Sequence, residues 1–263
     1  MDVSRKAIFI TGGGSGIGRA VAVFFAARGW RVGLADVDEA GMAETAAMLP
    51  QDAASCHKLD VRDREAWDGA LIAFAAQSGA RLDVLFNNAG IAVGGPLAAQ
   101  TTAEIDRALD INLRGLIYGA QAGYKWLKVT PGSCLLNTAS AAAIWGGSGI
   151  SVYAATKFGV RGLTEALDAE WARDGIKVRD LMPSFIDTPL LAGTGAAASN
   201  EPLRARVARA GLEFTPVEFV AQAAWDAVHG ERLHTPVGKT ARRMAFFARW
   251  MPGAMRKQAR GRI

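Results

Sequence analysis

Short apolar runs alternate along the chain with longer stretches whose apolar residues recur at helical spacing. The runs are AIFIT (7–11), RVGLAD (31–36), SCHKLDV (55–61), LDVLFNNAG (82–90), SCLLNTAS (133–140) and KVRDLMPS (177–184). Helical patterns follow near residues 16–28, 38–48, 64–78, 103–128 and 152–173. Runs this apolar cannot have one wet face, so each reads as a strand covered on both sides. Strands that alternate with helices in this way predict an α/β fold, a doubly wound parallel sheet in three layers. Thr101 with Glu104, and Thr215 with Glu218, have the spacing of capping boxes, and Pro216 suits the first turn of a helix.

No repeat or linker interrupts the pattern, so residues 1–238 are expected to form one dinucleotide-sized domain. Within it, Gly, Ala and Ser dominate the first half of residues 189–212, which are expected to be a mobile segment beside a substrate. The chain carries a net charge of +5, but eight of its cations fall in residues 239–263 with no acid among them. The remainder is 22 basic against 25 acidic residues, so the charge is a property of the tail and gives no nucleic-acid signal. In that tail Met244, Phe247 and Met251 recur at helical spacing up to Pro252, which predicts a basic amphipathic helix interrupted there. Its first reading is a cover for a cleft or a partner subunit, its second a contact with a membrane surface. No run approaches the roughly 20 apolar residues of a membrane span, and no signal-peptide pattern opens the chain, so a cytoplasmic protein is expected. Cys56 and Cys134 lack metal-ligand spacing and are expected to be two buried thiols, with no metal site.

Behind the first strand stands TGGGSGIG (11–18). A strand, a glycine turn and a helix beginning near Ser15 place unpartnered backbone N–H groups and a helix dipole where a pyrophosphate would lie. The spacing is T-G-x-x-x-G-x-G, through Gly12, Gly16 and Gly18, rather than G-x-G-x-x-G; Ser15 and Ile17 complete the turn. Asp36 ends the second strand about 20 residues on, where a carboxylate accepts hydrogen bonds from an adenosine ribose. It would repel the extra phosphate of NADP(H), so NAD(H) is the expected cofactor. Asp38 is left to cap the following helix.

Two stretches match Tyr-x-x-x-Lys, and i, i+4 spacing puts each pair on one helix face. Tyr124 and Lys128 end a helix and read as structural. Tyr153 and Lys157 begin one, and Ser140 stands at the carboxyl end of the preceding strand, where ligands of open parallel sheets bind. The order and spacing of TGGGSGIG, Asp60 in LDV, NNAG (87–90), Asn112 in INLRG, Ser140 and YAATK (153–157) resemble the short-chain dehydrogenase/reductase family over roughly residues 5–190.

That resemblance implies a Rossmann-like fold and a hydride transfer with Tyr153 as general acid and base. It implies that Asp60 and the Val61 backbone meet the adenine, that Asn88, Ala89 and Gly90 line the adenosine side, and that Asn112 holds a water leading to Lys157. Lys157 would bond the nicotinamide ribose and, together with oxidised nicotinamide, lower the phenol's pKa from near 10. Ser140 would hold the substrate oxygen. Pro183 is kept where the family has Pro-Gly, Ser184 replaces the glycine, the Ile186 N–H would meet the carboxamide, and Thr188 would meet the carboxamide or a phosphate. Ile91, Val93, Ile144, Trp145 and Leu190 would wall an apolar pocket, which suits an apolar secondary alcohol or ketone. A homodimer or homotetramer through the helices near 103–128 and 152–173 is implied as well. A non-catalytic NAD(H) sensor and a dehydratase or epimerase are the alternative readings.

Overall fold

In the computed structural model, residues 5–188, 203–209 and 212–260 are described. The strands are β1 (Ala7–Thr11), β2 (Arg31–Asp36), β3 (Ala54–Lys58), β4 (Val84–Asn87), β5 (Cys134–Thr138), β6 (Lys177–Pro183), β7 (Phe185–Ile186), β8 (Phe214–Thr215) and β9 (His234–Val237). Seven of them form one parallel sheet in the order β3-β2-β1-β4-β5-β6-β9. The helices are α1 (Gly16–Ala26), α2 (Glu39–Ala47), α3 (Arg64–Ser78), α4 (Thr102–Leu109), α5 (Gly115–Lys128), α6 (Ser151–Trp171), α7 (Leu203–Arg209), α8 (Val217–His229), α9 (Lys239–Trp250) and α10 (Pro252–Arg260).

Successive strand residues point to opposite faces, and both faces are dry. Ile8, Ile10, Val84, Phe86 and Leu136 meet Phe25, Val220 and Ala224 from α1 and α8. Phe9, Leu85, Leu135 and Val178 meet Trp67, Phe74, Leu127 and Trp171 from α3, α5 and α6. Burying an aromatic ring such as Phe25 or Phe74 contributes about 1.5–3 kcal/mol, so these two layers are the main source of cohesion.

The order reverses between β1 and β4. Such a switch point opens a crevice at the carboxyl ends of the strands. One side chain holds it together: Thr11 Oγ1 accepts from the Asn88 and Ala89 N–H groups at 3.0 and 3.1 Å. Asn88 Nδ2 in turn donates to the Thr11 carbonyl at 3.0 Å.

The structure departs from the sequence expectation at several places. The helix expected over 103–128 is divided by a π-helical turn at Asp110–Arg114. The cause is Asn112, whose carboxamide is drawn sideways to the Ile91 backbone. Thr215 is not a helix cap: it belongs to β8, paired in parallel with β7, and α8 starts after Pro216 without a side-chain cap. Thr101 and Glu104 do form a reciprocal capping box. The edge strand β9 was hidden by its brevity and by Pro236, which a sheet tolerates at an edge. Cys134 is buried, but Cys56 is exposed, because β3 is the opposite edge of the sheet. Pro252 starts α10 rather than kinking a single helix, since its missing N–H is no loss in a first turn.

At the β9 edge a carboxyl group is wholly enclosed. Asp180 is 0 % exposed, and one of its oxygens meets His234 Nδ1 at 2.8 Å. The other ring nitrogen of His234 meets Glu165 at 3.1 Å, and Arg161 lies beyond it at 2.9 Å from Glu165. Burial lowers the His234 pKa, but its hydrogen bond to Asp180 and the charges of Asp180 and Glu165 together outweigh that and leave it raised; burial raises Asp180. Both folded groups bind protons more readily than in the unfolded chain, so both terms weaken as pH rises. The His234 term is complete below pH 6.5 and is lost as pH climbs through the raised value. His234→Asn is expected to lower the melting temperature most below pH 6.5 and progressively less above it. Thermal denaturation of both chains across that range measures the difference.

Candidate active site

The glycine turn is built for close approach. Gly12 has φ +70°, and a Cβ on Gly18 would lie 2.0 Å from the Gly12 carbonyl oxygen, so α1 starts pressed against the end of β1. Gly16, at φ +51°, carries the chain into that helix. Ser15 is the N-cap residue but makes no side-chain cap bond, and the first turn holds no acid. The opening N–H groups of α1, at Gly16, Ile17 and Gly18, thus have no capping side chain and no acid of their own turn beside them, which leaves them available to an anion. Asp36 lies alongside, its oxygens accepting from the N–H groups of Gly14 at 3.0 Å and Asp38 at 3.1 Å. Asp38 caps α2 through Gly41. Arg19, which sequence reasoning passed over, donates to the Gly14 carbonyl at 2.6 Å and pairs with Glu44 across to α2.

Across the crevice the carboxyl ends of β4 and β5 meet α6. Lys157 is 4 % exposed, and its Nζ donates to the Thr138 carbonyl at 2.8 Å. The same ammonium lies 5.7 Å from the centre of the Tyr153 ring. Ser140, in extended backbone just past β5, accepts from the Ala142 N–H at 3.1 Å, which leaves its own hydrogen free to donate to the Tyr153 oxygen. Asn112 is 0 % exposed and closes two bonds of 2.8 Å with Ile91, one to its N–H and one to its carbonyl. Gly90 sits between: a Cβ there would be 3.2 Å from Asn112 Oδ1 and 3.8 Å from Lys157 Nζ. The predicted Ser, Tyr, Lys and Asn thus converge on one end of the sheet.

The electrostatics run against a simple expectation. Burial pushes the Tyr153 phenol above its ordinary value, with the Ser140 hydrogen bond pulling the other way. Burial also pushes Lys157 down to about 8. Desolvation disfavours both charged forms, and in the chain alone burial is the larger influence on the phenol.

A family model described as short chain dehydrogenase matches residues 6–199. The chain belongs to the short-chain dehydrogenase/reductase family. It is 38 % identical over 191 residues to levodione reductase of Leifsonia aquatica, covering 71 % of each chain. It is 33 % identical over 193 residues to meso-2,3-butanediol dehydrogenase of Serratia marcescens, covering 73 % of this chain and 76 % of that one. A probable oxidoreductase of Mycobacterium tuberculosis, EphD, is 30 % identical over 97 % of this chain, which spans 45 % of that protein. A crystal structure of levodione reductase superposes with a TM-score of 0.83 at 30 % identity, covering 90 % of this chain and 98 % of that one. A family member from Burkholderia phymatum in complex with NAD gives 0.81 at 25 % identity, with 98 % and 96 % covered. The fold class and the oxidoreductase family follow from these matches.

Other residues singled out from the family pattern stand as follows. Asp60 pairs with Arg62, Nε to Oδ1 at 2.9 Å, and this hydrogen bond holds its carboxyl below the usual carboxylate range. The Val61 carbonyl is taken by Trp67 Nε1 at 3.0 Å. Pro183 ends β6, and Ser184 donates its N–H to Val237 at 3.3 Å; its φ is not positive, so serine replaces the family glycine without strain. Ile186 is buried in β7, and Thr188 Oγ1 reaches the Ile186 carbonyl at 3.5 Å. Ile91, Val93 and Trp145 are half-buried. The segments that carry them meet where the Gly95 N–H donates to the Gly149 carbonyl at 2.8 Å. Ile144 is core, packed with Met182 and Ala241. Leu190 and most of residues 189–212 lie outside the described residues.

The Tyr124 and Lys128 pair is a structural tie. Tyr124 donates to Asp174 at 2.6 Å, and Lys128 bridges the same carboxylate at 2.9 Å. Sequence reasoning missed the polar seam beneath the site. Asn87 Nδ2 donates to Asn137 Oδ1 at 3.2 Å, and Asn137 Nδ2 to Thr164 Oγ1 at 3.1 Å, locking β4, β5 and α6 together. Two asparagines ending apolar strands in register were the available signal. Among the described residues no cluster of metal-ligating side chains occurs.

Proposed function

We propose that the chain interconverts an apolar secondary alcohol and its ketone with NAD(H), Tyr153 acting as general acid and base. The observation that carries this is Tyr153 held between the Ser140 hydroxyl and the buried Lys157 ammonium at the carboxyl end of the sheet. The residues present fit a dinucleotide: an uncapped helix N-terminus, a glycine turn and a carboxylate at the end of β2 face one crevice. Gly12, Ser15, Gly16, Ile17, Gly18 and Asp36 would hold its pyrophosphate and ribose; Asp60, Val61, Asn88, Ala89 and Gly90 its adenosine side; and Pro183, Ile186 and Thr188 its carboxamide. When bound, a nicotinamide supplies the hydride donor or acceptor.

The chain supplies aim and the proton. Ser140 donates to the substrate oxygen and sets it beside Tyr153, which takes the hydroxyl proton during oxidation and returns it during reduction. Because burial raises the phenol, its acidity has to come from positive charge brought next to it, and an oxidised nicotinamide carries that charge. Lys157 bonds the ribose and, with a pKa of about 8, passes a proton onward near neutral pH. The π-turn leaves the Gly115 N–H bonded to Asp110, five residues back, and this widening gives the Asn112 backbone room to hold the water that receives the proton. Ile91, Val93 and Trp145 make the substrate side apolar, and the names of the levodione and butanediol relatives favour a carbonyl–carbinol substrate.

Tyr153→Phe is expected to keep NAD binding and lose about a hundredfold or more in kcat. Steady-state rates with a panel of apolar secondary alcohols, beside a cofactor titration, check this; unchanged turnover in the variant would contradict Tyr153 as general acid and base, and a native chain that binds NAD without turning over any of the panel would be a nucleotide sensor. Asp36→Ala should shift the NAD-over-NADP ratio of kcat/KM by at least about tenfold toward NADP, because like charges placed together cost several kcal/mol. An unchanged ratio contradicts the cofactor assignment.

A further inference from the structure

The tail does not hang free. Gly238, at φ +89°, turns the chain at the end of β9, and α9 runs back over the protein. Ala241, Met244, Ala245 and Ala248 form a stripe at helical spacing that packs against Ala141, Ala143, Ile144 and Leu116. That stripe rests on the turn immediately after Ser140. The expected apolar set was therefore only partly right: Met244 faces inward, but Met251 is exposed.

With its small side chains spent on the body, α9 turns an unusual face outward. Arg242, Arg243 and Arg249 are exposed, and so are Phe246 at 58 % and Trp250 at 65 %. The Arg249 guanidinium lies 5.3 Å from the Trp250 ring. α10 adds exposed Arg256, Lys257 and Arg260 and buries nothing of its own. No acid occurs from residue 239 onward, and none of these six cations is ion-paired to a described residue. We propose that this outer face docks on an anionic lipid surface.

The charge and the residue types select that occupant. Guanidinium groups interleaved with exposed aromatic rings, on a face without acids, match an interface with anionic headgroups above and acyl chain below. A two-fold contact between copies would set the same cationic face against itself, and like charge opposes it. The nine-residue α10, with no buried side chain, is marginal in water, and the exposed Trp250 and Met251 just before it would enter the same surface. Among the described residues no helix is long and apolar enough to cross a membrane, so the contact lies in the surface plane.

Co-sedimentation of the full chain with phosphatidylcholine vesicles, with and without one-third phosphatidylglycerol, tests this. The native chain is expected to pellet with the anionic vesicles alone and to be released by high salt. Arg242→Glu with Arg243→Glu should weaken partitioning by at least about thirtyfold, from roughly 1 kcal/mol per basic group. Phe246→Ser with Trp250→Ser should weaken it as well, both with the native melting temperature. Should either pair disturb the fold, Arg256→Glu with Lys257→Glu on α10 gives the same reading away from the body. Equal partitioning into neutral and anionic vesicles overturns the proposal, and so do charge-reversed variants that bind as the native chain does. A chain that ignores vesicles, and whose sedimenting mass falls in these variants, assigns the face to a contact between copies and overturns it too.

Discussion

Everything at the active end of this sheet depends on where one ammonium can be put. Lys157 has almost no contact with solvent, so it must meet oxygen from the protein, and the Thr138 carbonyl is that oxygen. The bond ties α6 to the last residue of β5, and Tyr153, one turn earlier on α6, is thereby fixed beside Ser140. The second wall is held by the same logic. Asn112 spends its whole carboxamide on the Ile91 backbone, and the helix that carries it widens by one residue to allow this. The Asn87, Asn137 and Thr164 seam below keeps both walls in register. Each buried polar group here is placed by another.

The fold was readable from the chain because β1, β2, β4, β5 and β6 are buried on both faces and helical patterns separate the runs. That signal predicts a parallel sheet; the order β3-β2-β1-β4-β5-β6 is set by the pairing seen in the structure. What escaped was governed by tertiary contacts. β9 is four residues with a proline, so its pairing with β6 is all that makes it a strand. The break at Asp110–Arg114 comes from a side chain reaching a loop 21 residues away. Thr215 lost its capping role because β7 offered its backbone a partner. In each case a distant partner overrode a locally plausible pattern.

The site was legible for a different reason. Spacing put Tyr153 and Lys157 on one helix face and Ser140 at the end of a strand, whereas Asn88 and Asn112 came from the family resemblance. The decoy pair shows the limit of spacing: Tyr124 and Lys128 share the motif and meet Asp174 on the far side of the protein's chemistry. Proton affinities were not legible at all. A lysine beside a tyrosine suggests an acidified phenol, but burial acts on both groups at once and moves each toward its neutral form. The chain alone therefore keeps the phenol protonated.

The most direct test is a pH titration of the Tyr153 phenol by carbon-13 NMR in tyrosine-labelled chain. The chain has three tyrosines, and comparison with Tyr153→Phe assigns the signal. The account predicts a midpoint above 10.0 in the free chain and a fall when NAD+ saturates it. A midpoint already near neutrality in the free chain, or one that NAD+ leaves unmoved, would contradict it.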